Sequence, residues 1–396
     1  MALKERRAAP EFLGGAHRLA RAAALLWWGA AVLHGGALAH DAGVDNGVFR
    51  SRDGGATWLQ VNPESFARGA LALAVQPNDP HRLLLATDSG LLGSRNGGRD
   101  WEAEAAGVLS GPAFAVAFDV DGKAMLASGA AALYRTEGNR WREARTPTGA
   151  APARALVSGG VAGRVYLAGW SGLHRSDNWG RSWTRVDKEF STDAVSALAV
   201  SAMQSDEVHA LAAGRVWSSR DGARHWRLDE GTPQRVDALA FDRTLPARLW
   251  AVAAHRMHRQ DQRAAPWEPV GAPLPDAQAK VRGVEVSADT MLVATDRGVF
   301  RSADAGASWA LLNAELPNHS DVALLLRDPQ SPATVYAIFS RLGPEQIKGS
   351  SAAPDSPLAR SDIALLVGAY AAFAMLLVAA GLVVRRFTHH GAESSS

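Results

Sequence analysis

Residues 51–58 read Ser-Arg-Asp-Gly-Gly-Ala-Thr-Trp and residues 302–309 read Ser-Ala-Asp-Ala-Gly-Ala-Ser-Trp, so both follow the pattern Ser-x-Asp-x-Gly-x-Thr/Ser-Trp. An Asp side chain can accept hydrogen bonds from backbone amides one or two residues further on, and Gly can adopt the positive φ of a tight turn. The pattern therefore predicts a locked hairpin turn. The Trp then begins a strand and buries its ring between neighbouring sheets.

The tryptophan that ends the octapeptide recurs with an almost constant spacing. Seven such tryptophans lie 40 to 43 residues apart: Trp58, Trp101, Trp141, Trp183, Trp226, Trp267 and Trp309. A period of this length marks a series of supersecondary units that pack against one another. Each unit contains a strand-turn-strand hairpin, because a short strand such as residues 47–50 precedes the turn.

Five of the seven copies keep the octapeptide, and we expect their side chains to fix the turns. The defining residues are Ser51, Asp53, Gly55 and Trp58; Ser94, Asn96, Gly98 and Trp101; Ser176, Asn178, Gly180 and Trp183; Ser219, Asp221 and Trp226; and Ser302, Asp304, Gly306 and Trp309. The copies that end at Trp141 and Trp267 keep little beyond the tryptophan and its spacing, so other contacts must hold their turns.

These octapeptides resemble the BNR or Asp-box repeats of sialidases, of sortilin-type receptors and of photosystem II assembly and stability factors, over residues 45–340. Such repeats build β-propellers. Among these families, the photosystem II factors are most similar in blade number and in having a ring without enzymatic activity. The resemblance therefore implies a binding protein with a protein partner, acting in the assembly or scaffolding of a membrane or envelope complex.

Each period also contains two strands before the hairpin, which makes four short antiparallel strands, as in one propeller blade. The predicted inner strands are residues 70–75, 114–118, 155–158, 195–200, 236–241, 284–287 and 322–326. The region begins with a hairpin that lacks preceding strands and ends with two strands that lack a hairpin. These halves complete one blade, so we predict an all-β, seven-bladed ring closed by both termini; an open stack or another blade number is the alternative.

Both ends of the chain carry membrane-targeting features. Basic residues precede an apolar run at residues 22–33, and Ala37-Leu38-Ala39 resembles a secretory cleavage site. Near the other end, a long uncharged segment is followed directly by two arginines. The predicted segments are a signal peptide or uncleaved signal anchor (1–39), the propeller (40–340), a linker (341–362), a transmembrane helix (363–384) and a cytoplasmic tail (385–396). This topology places the propeller on the extracytoplasmic side, periplasmic or lumenal.

Composition excludes several classes of function. The 396 residues contain no cysteine, which excludes disulfides and thiol chemistry. The net charge of the whole chain is +2; five basic and two acidic residues precede residue 40, and two of each follow residue 361, so the remaining domain is near neutral at −1. We therefore expect no nucleic-acid binding driven by overall charge, and any anion binding must be local.

One face of the predicted ring carries the candidate binding residues. It contains the loops before each inner strand and the turns between second and third strands, opposite the Asp-box turns. The candidates are Arg68, Arg154, Arg235 and Arg282 before the inner strands, and Trp170, His255, Asp88 and Asp296 on the turns. A partial arginine ring suits a carboxylate, a phosphate or an acidic protein segment. Alternatively, these are ordinary loop residues of an arginine-rich chain.

Glycoside hydrolysis is the alternative function, because sialidases share the octapeptide. Sialidase chemistry uses three arginines for the substrate carboxylate, a Tyr nucleophile with a Glu partner, and an acid. Of the four tyrosines, Tyr370 lies in the predicted span, whereas Tyr134, Tyr166 and Tyr336 lie in predicted strands. The Arg-Ile-Pro motif of many sialidases is missing from the sequence. We therefore expect a chain without catalytic residues.

We expect neither a metal nor a cofactor. His255 and His258 are three residues apart, which on a strand directs their side chains to opposite faces. A processed N-terminus at His40-Asp41 would offer copper only one histidine, which is a weak signal. The Asp-box carboxylates lie about 42 residues apart along the chain. Their expected role is to form turns.

Overall fold

The computed structural model describes the chain between residues 47 and 340 with short gaps. The described residues are 47–61, 69–190, 195–201, 204–242, 244, 246–261, 265–288, 290–317 and 320–340. They form seven four-stranded antiparallel sheets and a short 3-10 helix at Lys188–Phe190. The prediction of an all-β, seven-bladed propeller with four-stranded blades is confirmed.

The segments predicted at the two ends lie outside the described residues. They are the signal peptide or anchor (1–39), the linker (341–362), the span (363–384) and the tail (385–396). Within the part of the chain that the structure describes, no helix has the length and apolar character needed to cross a bilayer.

Six blades consist of four consecutive strands, counted from the channel to the rim. Blade 1 contains β3 (Ala70–Gln76), β4 (Asp79–Thr87), β5 (Gly90–Ser94) and β6 (Glu102–Ala103), and blade 2 contains β7 (Ala113–Phe118), β8 (Met125–Gly129), β9 (Leu133–Glu137) and β10 (Arg140–Ala144). Blade 3 contains β11 (Ala155–Ser158), β12 (Val165–Gly169), β13 (Gly172–Ser176) and β14 (Thr184–Arg185), and blade 4 contains β15 (Val195–Val200), β16 (Val208–Ala212), β17 (Arg215–Ser219) and β18 (Arg227–Leu228). Blade 5 contains β19 (Val236–Phe241), β20 (Leu249–Ala253), β21 (Arg256–Gln260) and β22 (Glu268–Val270), and blade 6 contains β23 (Val281–Ser287), β24 (Thr290–Thr295), β25 (Gly298–Ser302) and β26 (Ala310–Leu312).

Blade 7 is built from both ends of the domain, as predicted. Its first two strands are β27 (Val322–Arg327) and β28 (Val335–Phe339), and its outer strands are β1 (Gly47–Ser51) and β2 (Leu59–Gln60). Strands β28 and β1 pair antiparallel, with Arg50 opposite Tyr336. The first strands of the blades contact one another in cyclic order, and β27 contacts β3. The ring is therefore closed.

The hydrophobic core lies between neighbouring blades. Second strands are flanked by sheets on both sides and read as nearly continuous apolar runs, such as Leu83-Leu84-Leu85-Ala86, all buried. One buried cluster joins Val48 and Ile338 of blade 7 to Leu73 of blade 1. Each blade thus covers the apolar face of the next, and no blade has a complete core by itself.

The Asp-box turns are locked by two side chains. Ser51 Oγ accepts from the amide of Gly55 at 2.8 Å, and Asp53 Oδ1 accepts from the amide of Thr57 at 2.9 Å. The Asp therefore bonds amides three and four residues on, rather than the predicted one or two. Asn does the same through its amide oxygen: Asn96 Oδ1 accepts from Arg99 and Asp100. Substitution of Asp by Asn thus preserves the turn.

The box tryptophans join neighbouring blades, as predicted. Four indole N–H groups donate to backbone carbonyls of the preceding blade at 2.6 to 3.2 Å: Trp101 to Val61, Trp183 to Arg145, Trp226 to Val186 and Trp309 to Ala272. In the two degenerate copies the acceptor is a carboxylate, because Trp141 donates to Glu104 and Trp267 donates to Asp229. These contacts tie the two degenerate copies to the preceding blade.

A second set of links runs towards the following blade. It uses an arginine directly before the first residue of the box. Nη1 of Arg50 donates to the carbonyl of Gly97 at 2.5 Å, and Nη1 of Arg175 donates to that of Gly222 at the same distance. Nε of Arg301 reaches Gly54 in blade 7. These guanidinium groups connect third strands to the box turns of the next blade.

Candidate functional site

The strand order assigns the loops to two faces of the ring. Because the strands of each blade alternate in direction, the turns between third and fourth strands lie on one face, which we call the box face. The starts of the first strands and the turns between second and third strands lie on the opposite face, which we call the bulge face. All the candidate binding residues that the structure describes are on the bulge face, as predicted.

Six first strands carry a β-bulge at their second residue. The pairing of first and second strands shifts at Leu71, Phe114, Ser196, Asp237, Arg282 and Ala323. A bulge inserts one unpaired residue and redirects its side chain. In blade 3 the register of β11 and β12 is regular. The bulges therefore repeat around the mouth of the central channel, where Phe114 is buried and the other five bulged residues are half-buried or exposed.

Arg154 and Trp170 come together on the bulge face of blade 3. The Arg154 guanidinium lies over the Trp170 ring, 5.0 Å from its centroid. Its Nη1 also donates to the carbonyl of Val195 in blade 4 at 3.3 Å. Both side chains are half-buried. The cation–π contact and the hydrogen bond hold the guanidinium beside the channel mouth, at the junction of two blades.

Arg282 differs from its prediction in two respects. It lies inside β23 at the bulge, not in the loop before the strand. Its guanidinium also forms a two-pronged ion pair with Asp321, at 3.0 and 2.9 Å, just before the first strand of blade 7. Arg282 therefore links blades 6 and 7, and a large part of its donor capacity is satisfied internally.

Arg235 is exposed and has a positive φ of 55°. No hydrogen bond or ion pair of its guanidinium occurs within the described part of the chain. The bulged Asp237 lies two residues further on. It is exposed at the channel mouth, but the surrounding wall partly desolvates its carboxyl and raises its pKa, an effect that the nearby His255 partly offsets. An exposed arginine and a carboxyl with a raised pKa thus lie two residues apart in blade 5.

The other predicted residues have structural contacts. His255 Nε2 lies 2.9 Å from the carbonyl of Ala279, and its own carbonyl accepts from the amide of Leu274. Asp296 accepts from the amide of Lys280 at 2.8 Å, and the amide of Asp88 donates to Gly69. These contacts tie second-to-third turns to the segments before first strands. Arg68 lies outside the described residues.

Sequence reasoning missed the bulged residues. Ser196 and Asp237 each interrupt an otherwise apolar first strand at its second position, whereas Arg282 was predicted as a candidate but not as a bulged residue. A polar residue at the same place in two otherwise apolar strands is the sequence signal that could have identified them. The tyrosine prediction is confirmed: Tyr134, Tyr166 and Tyr336 lie in strands, and burial raises the pKa of each phenol. Their hydroxyls stay protonated at neutral pH. Among the described residues, no group of three or more His, Asp or Glu side chains has the arrangement of a metal site.

No protein-family model matches the chain, and no curated protein matches it. Solved structures do match. YCF48, a photosystem II assembly factor, bound to a D1 peptide has a TM-score of 0.52 and 16% identity, over 68% of this chain and 93% of that chain. YCF48 from Cyanidioschyzon merolae has a TM-score of 0.55 and 15% identity, over 72% and 99%. The chain has the fold of these propellers.

The same fold also occurs in an enzyme. The GH74 xyloglucanase from Xanthomonas campestris has a TM-score of 0.55 and 18% identity, over 72% of this chain and 53% of that chain. The resemblance to seven-bladed propellers of the photosystem II factor type is therefore confirmed for the fold. Because the identities are low and one fold supports many functions, activity has to be argued from the site itself.

Proposed function

We propose that this chain is a membrane-anchored, extracytoplasmic binding propeller that acts in the assembly or scaffolding of a membrane or envelope protein complex. The observation that carries this proposal is the ring of bulged residues on one face, which repeats in six blades and redirects side chains towards the channel mouth. The anchor and the location rest on the apolar segments near both ends of the sequence.

The bulge face has the chemistry to bind an acidic or carboxyl-terminal protein segment. Arg154 is held in place over Trp170, so binding there costs little side-chain entropy. Arg235 offers an exposed guanidinium. The half-buried bulged residue Leu71 supplies an apolar contact for an aliphatic or aromatic side chain. One propeller of this fold has been solved with a bound peptide, which supports a peptide as the kind of ligand.

Co-purification of the full chain from detergent-solubilised membranes tests this proposal. Partner recovery should fall when Arg154 and Arg235 are both replaced by Ala. Arg99→Ala is the matched control, because Arg99 is exposed on the box face and should leave recovery unchanged. Equal recovery with all variants would exclude the bulge face as the binding site.

Glycoside hydrolysis is a second candidate, and one observation favours it. Asp237 at the channel mouth has a raised pKa, which is what a general acid in glycoside hydrolysis needs. A xyloglucanase shares the fold. Incubation of the full chain with xyloglucan and with fluorogenic sialosides tests this function. Turnover that disappears in Asp237→Asn would establish catalysis; no turnover above background would leave binding as the function.

A further inference from the structure

The octapeptide of blade 1 contains a chemically labile pair of residues. Asn96 is followed by Gly97, whereas the other asparagine at this position, Asn178, is followed by Trp179. The backbone nitrogen that follows an asparagine can attack its side-chain carbonyl carbon, and glycine, which has no side chain, hinders this attack least. The other three copies have Asp here, such as Asp53, which with a pKa of about 2 is ionised at neutral pH and is a poor electrophile. Asn96 is therefore the box residue most prone to deamidation.

The closed turn restrains both reacting groups. The N–H of Gly97 donates to the carbonyl of His81 at 2.9 Å, so this nitrogen is not free to lose its proton and become a nucleophile. Oδ1 of Asn96 accepts from the amides of Arg99 and Asp100 at 3.0 and 2.9 Å, and Nδ2 donates to the Asp100 carboxylate at 2.6 Å. The side-chain amide is thereby fixed to the far end of the turn. Attack on Asn96 requires these hydrogen bonds to open first.

Blade 7 helps to hold this turn closed. Nη1 of the buried Arg50 donates to the carbonyl of Gly97 at 2.5 Å, so Gly97 is fixed through both its N–H and its C=O groups. Arg50 lies in β1, which pairs with β28 where the two ends of the domain meet. Loss of the Arg50 contact leaves Gly97 with only the bond to His81. The reactivity of Asn96 is therefore coupled to the closure of the ring.

We propose that Asn96 is a deamidation site whose reaction rate is set by the contact of Arg50 with Gly97, between blades 7 and 1. When the turn opens, the nitrogen of Gly97 bonds to Cγ of Asn96, and Nδ2 leaves as ammonia with the proton of the Gly97 amide. Water then opens the cyclic imide. Cleavage of the bond between the nitrogen and Cγ gives Asp, whereas cleavage of the bond between the nitrogen and the main-chain carbonyl carbon gives isoaspartate. This site is independent of the function proposed above.

The two products differ in their effect on the turn. Asp is the residue that Asp53 and Asp304 already provide in other blades, where it accepts from the equivalent amides, so the turn persists. Isoaspartate instead adds a methylene group to the main chain between positions 96 and 97. The carbonyl of Gly97 then no longer lies where Arg50 can reach it. Formation of isoaspartate at Asn96 should therefore weaken the interface between blades 7 and 1.

Mass spectrometry of the full chain, incubated at mildly alkaline pH, measures the rate of deamidation at Asn96. Methylation by protein isoaspartyl methyltransferase measures the amount of isoaspartate. We expect Asn96 to react at least about tenfold more slowly in the folded chain than in the chain unfolded in guanidinium chloride. Arg50→Met should accelerate the reaction of the folded chain by about tenfold, because the buried carbonyl of Gly97 loses its donor. Equal rates in the folded and the unfolded wild-type chain would overturn the proposal.

Arg175→Met is the matched control variant. It removes the same kind of contact, from Arg175 to the carbonyl of Gly222, at the interface of blades 3 and 4. The rate at Asn96 should therefore stay at the wild-type value, although the domain loses stability. Equal acceleration by Arg50→Met and Arg175→Met would show that the reaction follows global unfolding, and the proposed coupling to blade 7 would be wrong.

The products give a second test, which does not need Arg50→Met to fold. Asn96→Asp has the sequence of the Asp product and should melt at the wild-type temperature. Wild-type chains enriched in isoaspartate should melt at a lower temperature, and repair by the methyltransferase should reverse this loss. Identical melting temperatures for the isoaspartate chains and Asn96→Asp would show that the turn at Asn96 does not support the interface, which would also overturn the proposal.

Discussion

Nε of Arg301 in blade 6 donates to the backbone carbonyl of Gly54 in blade 7 at 3.3 Å, although the two residues are 247 positions apart in the chain. The same contact joins Arg50 to Gly97 and Arg175 to Gly222, between blades that are consecutive in sequence. The interface that joins the two ends of the domain is therefore built like the other interfaces. The shared blade 7 and the same arginine contact that joins other blades are therefore enough to close the ring.

Replacing Phe49 by Ala should strongly destabilise the domain. Phe49 is 1% exposed and packs edge-on against Phe339 with a centroid distance of 5.3 Å, so its loss leaves a cavity where the two ends of the chain meet. We expect a loss of about 3–5 kcal/mol in the free energy of unfolding, measured by denaturant titration. Leu59→Ala, which alters an exposed side chain of the same blade, should change it little. Similar effects for both variants would contradict the closed blade.

The arginine links should contribute to stability individually. Arg175 is buried, and its removal as Arg175→Met leaves the carbonyl of Gly222 without its 2.5 Å donor. We expect a destabilisation of about 1–3 kcal/mol, because a buried acceptor loses its partner. Arg224→Met on the same box turn is the control, since Arg224 is exposed. A change below about 0.5 kcal/mol for Arg175→Met would show that the link is dispensable.

The ion pair between Arg82 and Glu104 in blade 1 should contribute to the stability of the domain. Arg82→Met should destabilise the domain by about 3 kcal/mol, because Glu104 keeps a charge that is largely removed from solvent. Combining it with Glu104→Gln should recover part of the loss, as a double-mutant cycle would measure. Lys123→Met breaks an exposed pair with Asp121 and should have little effect. Additive effects of the two substitutions would argue against a coupled pair.

Acid should weaken the Asp-box turns. Burial acts to raise the pKa of Asp53, but hydrogen bonds from Thr57, Ser51 and Ala56 outweigh it and lower the pKa to about 2. Hydrogen bonds from Ser308 and Ser302 lower the pKa of Asp304 to about 2 as well. Because both values lie below the ordinary 3.8, the folded state binds fewer protons than the unfolded state. Their contribution is complete above that value and is lost as the pH falls towards 2.

The double variant Asp53→Asn/Asp304→Asn tests this pH dependence. Its turns should persist, because Asn96 and Asn178 already hold equivalent turns. Thermal melts should show a smaller loss of melting temperature between about pH 5 and pH 2 than in the wild type. Identical pH profiles would show that protonation of Asp53 and Asp304 does not contribute to the loss of stability in acid.

Local features of the sequence were sufficient to predict the ring. The spacing of the tryptophans defined the number of blades, and apolar runs placed first strands such as Val195–Val200 and Val236–Phe241 with the observed bounds. The side chains that lock each Asp-box turn and the amides that they bind lie within eight residues, so the turn can be recognised without knowledge of the fold. The domain begins with the two outer strands of a blade and ends with the two inner strands of a blade. Strand β1 therefore pairs with β28, with Gly47 opposite Phe339.

The residues and contacts of the bulge face were only partly predictable. The sequence indicates that Arg154, Arg235 and Arg282 lie on one face, but not that Arg282 occupies a bulge and pairs with Asp321. A bulge is a shift of pairing between strands, so it depends on the partner strand as well as on the residue itself.

The sequence by itself determined a closed seven-bladed propeller, because hydrophobic periodicity and turn motifs act over a few residues and repeat. Only the tertiary structure decided which partners the buried arginines reach. Arg175 reaches Gly222, whereas Arg82 reaches Glu104. The physical reason is that each of these contacts depends on two chain segments about 20 to 50 residues apart, and their separation is set by strand pairing within a sheet and by the packing of one sheet on the next.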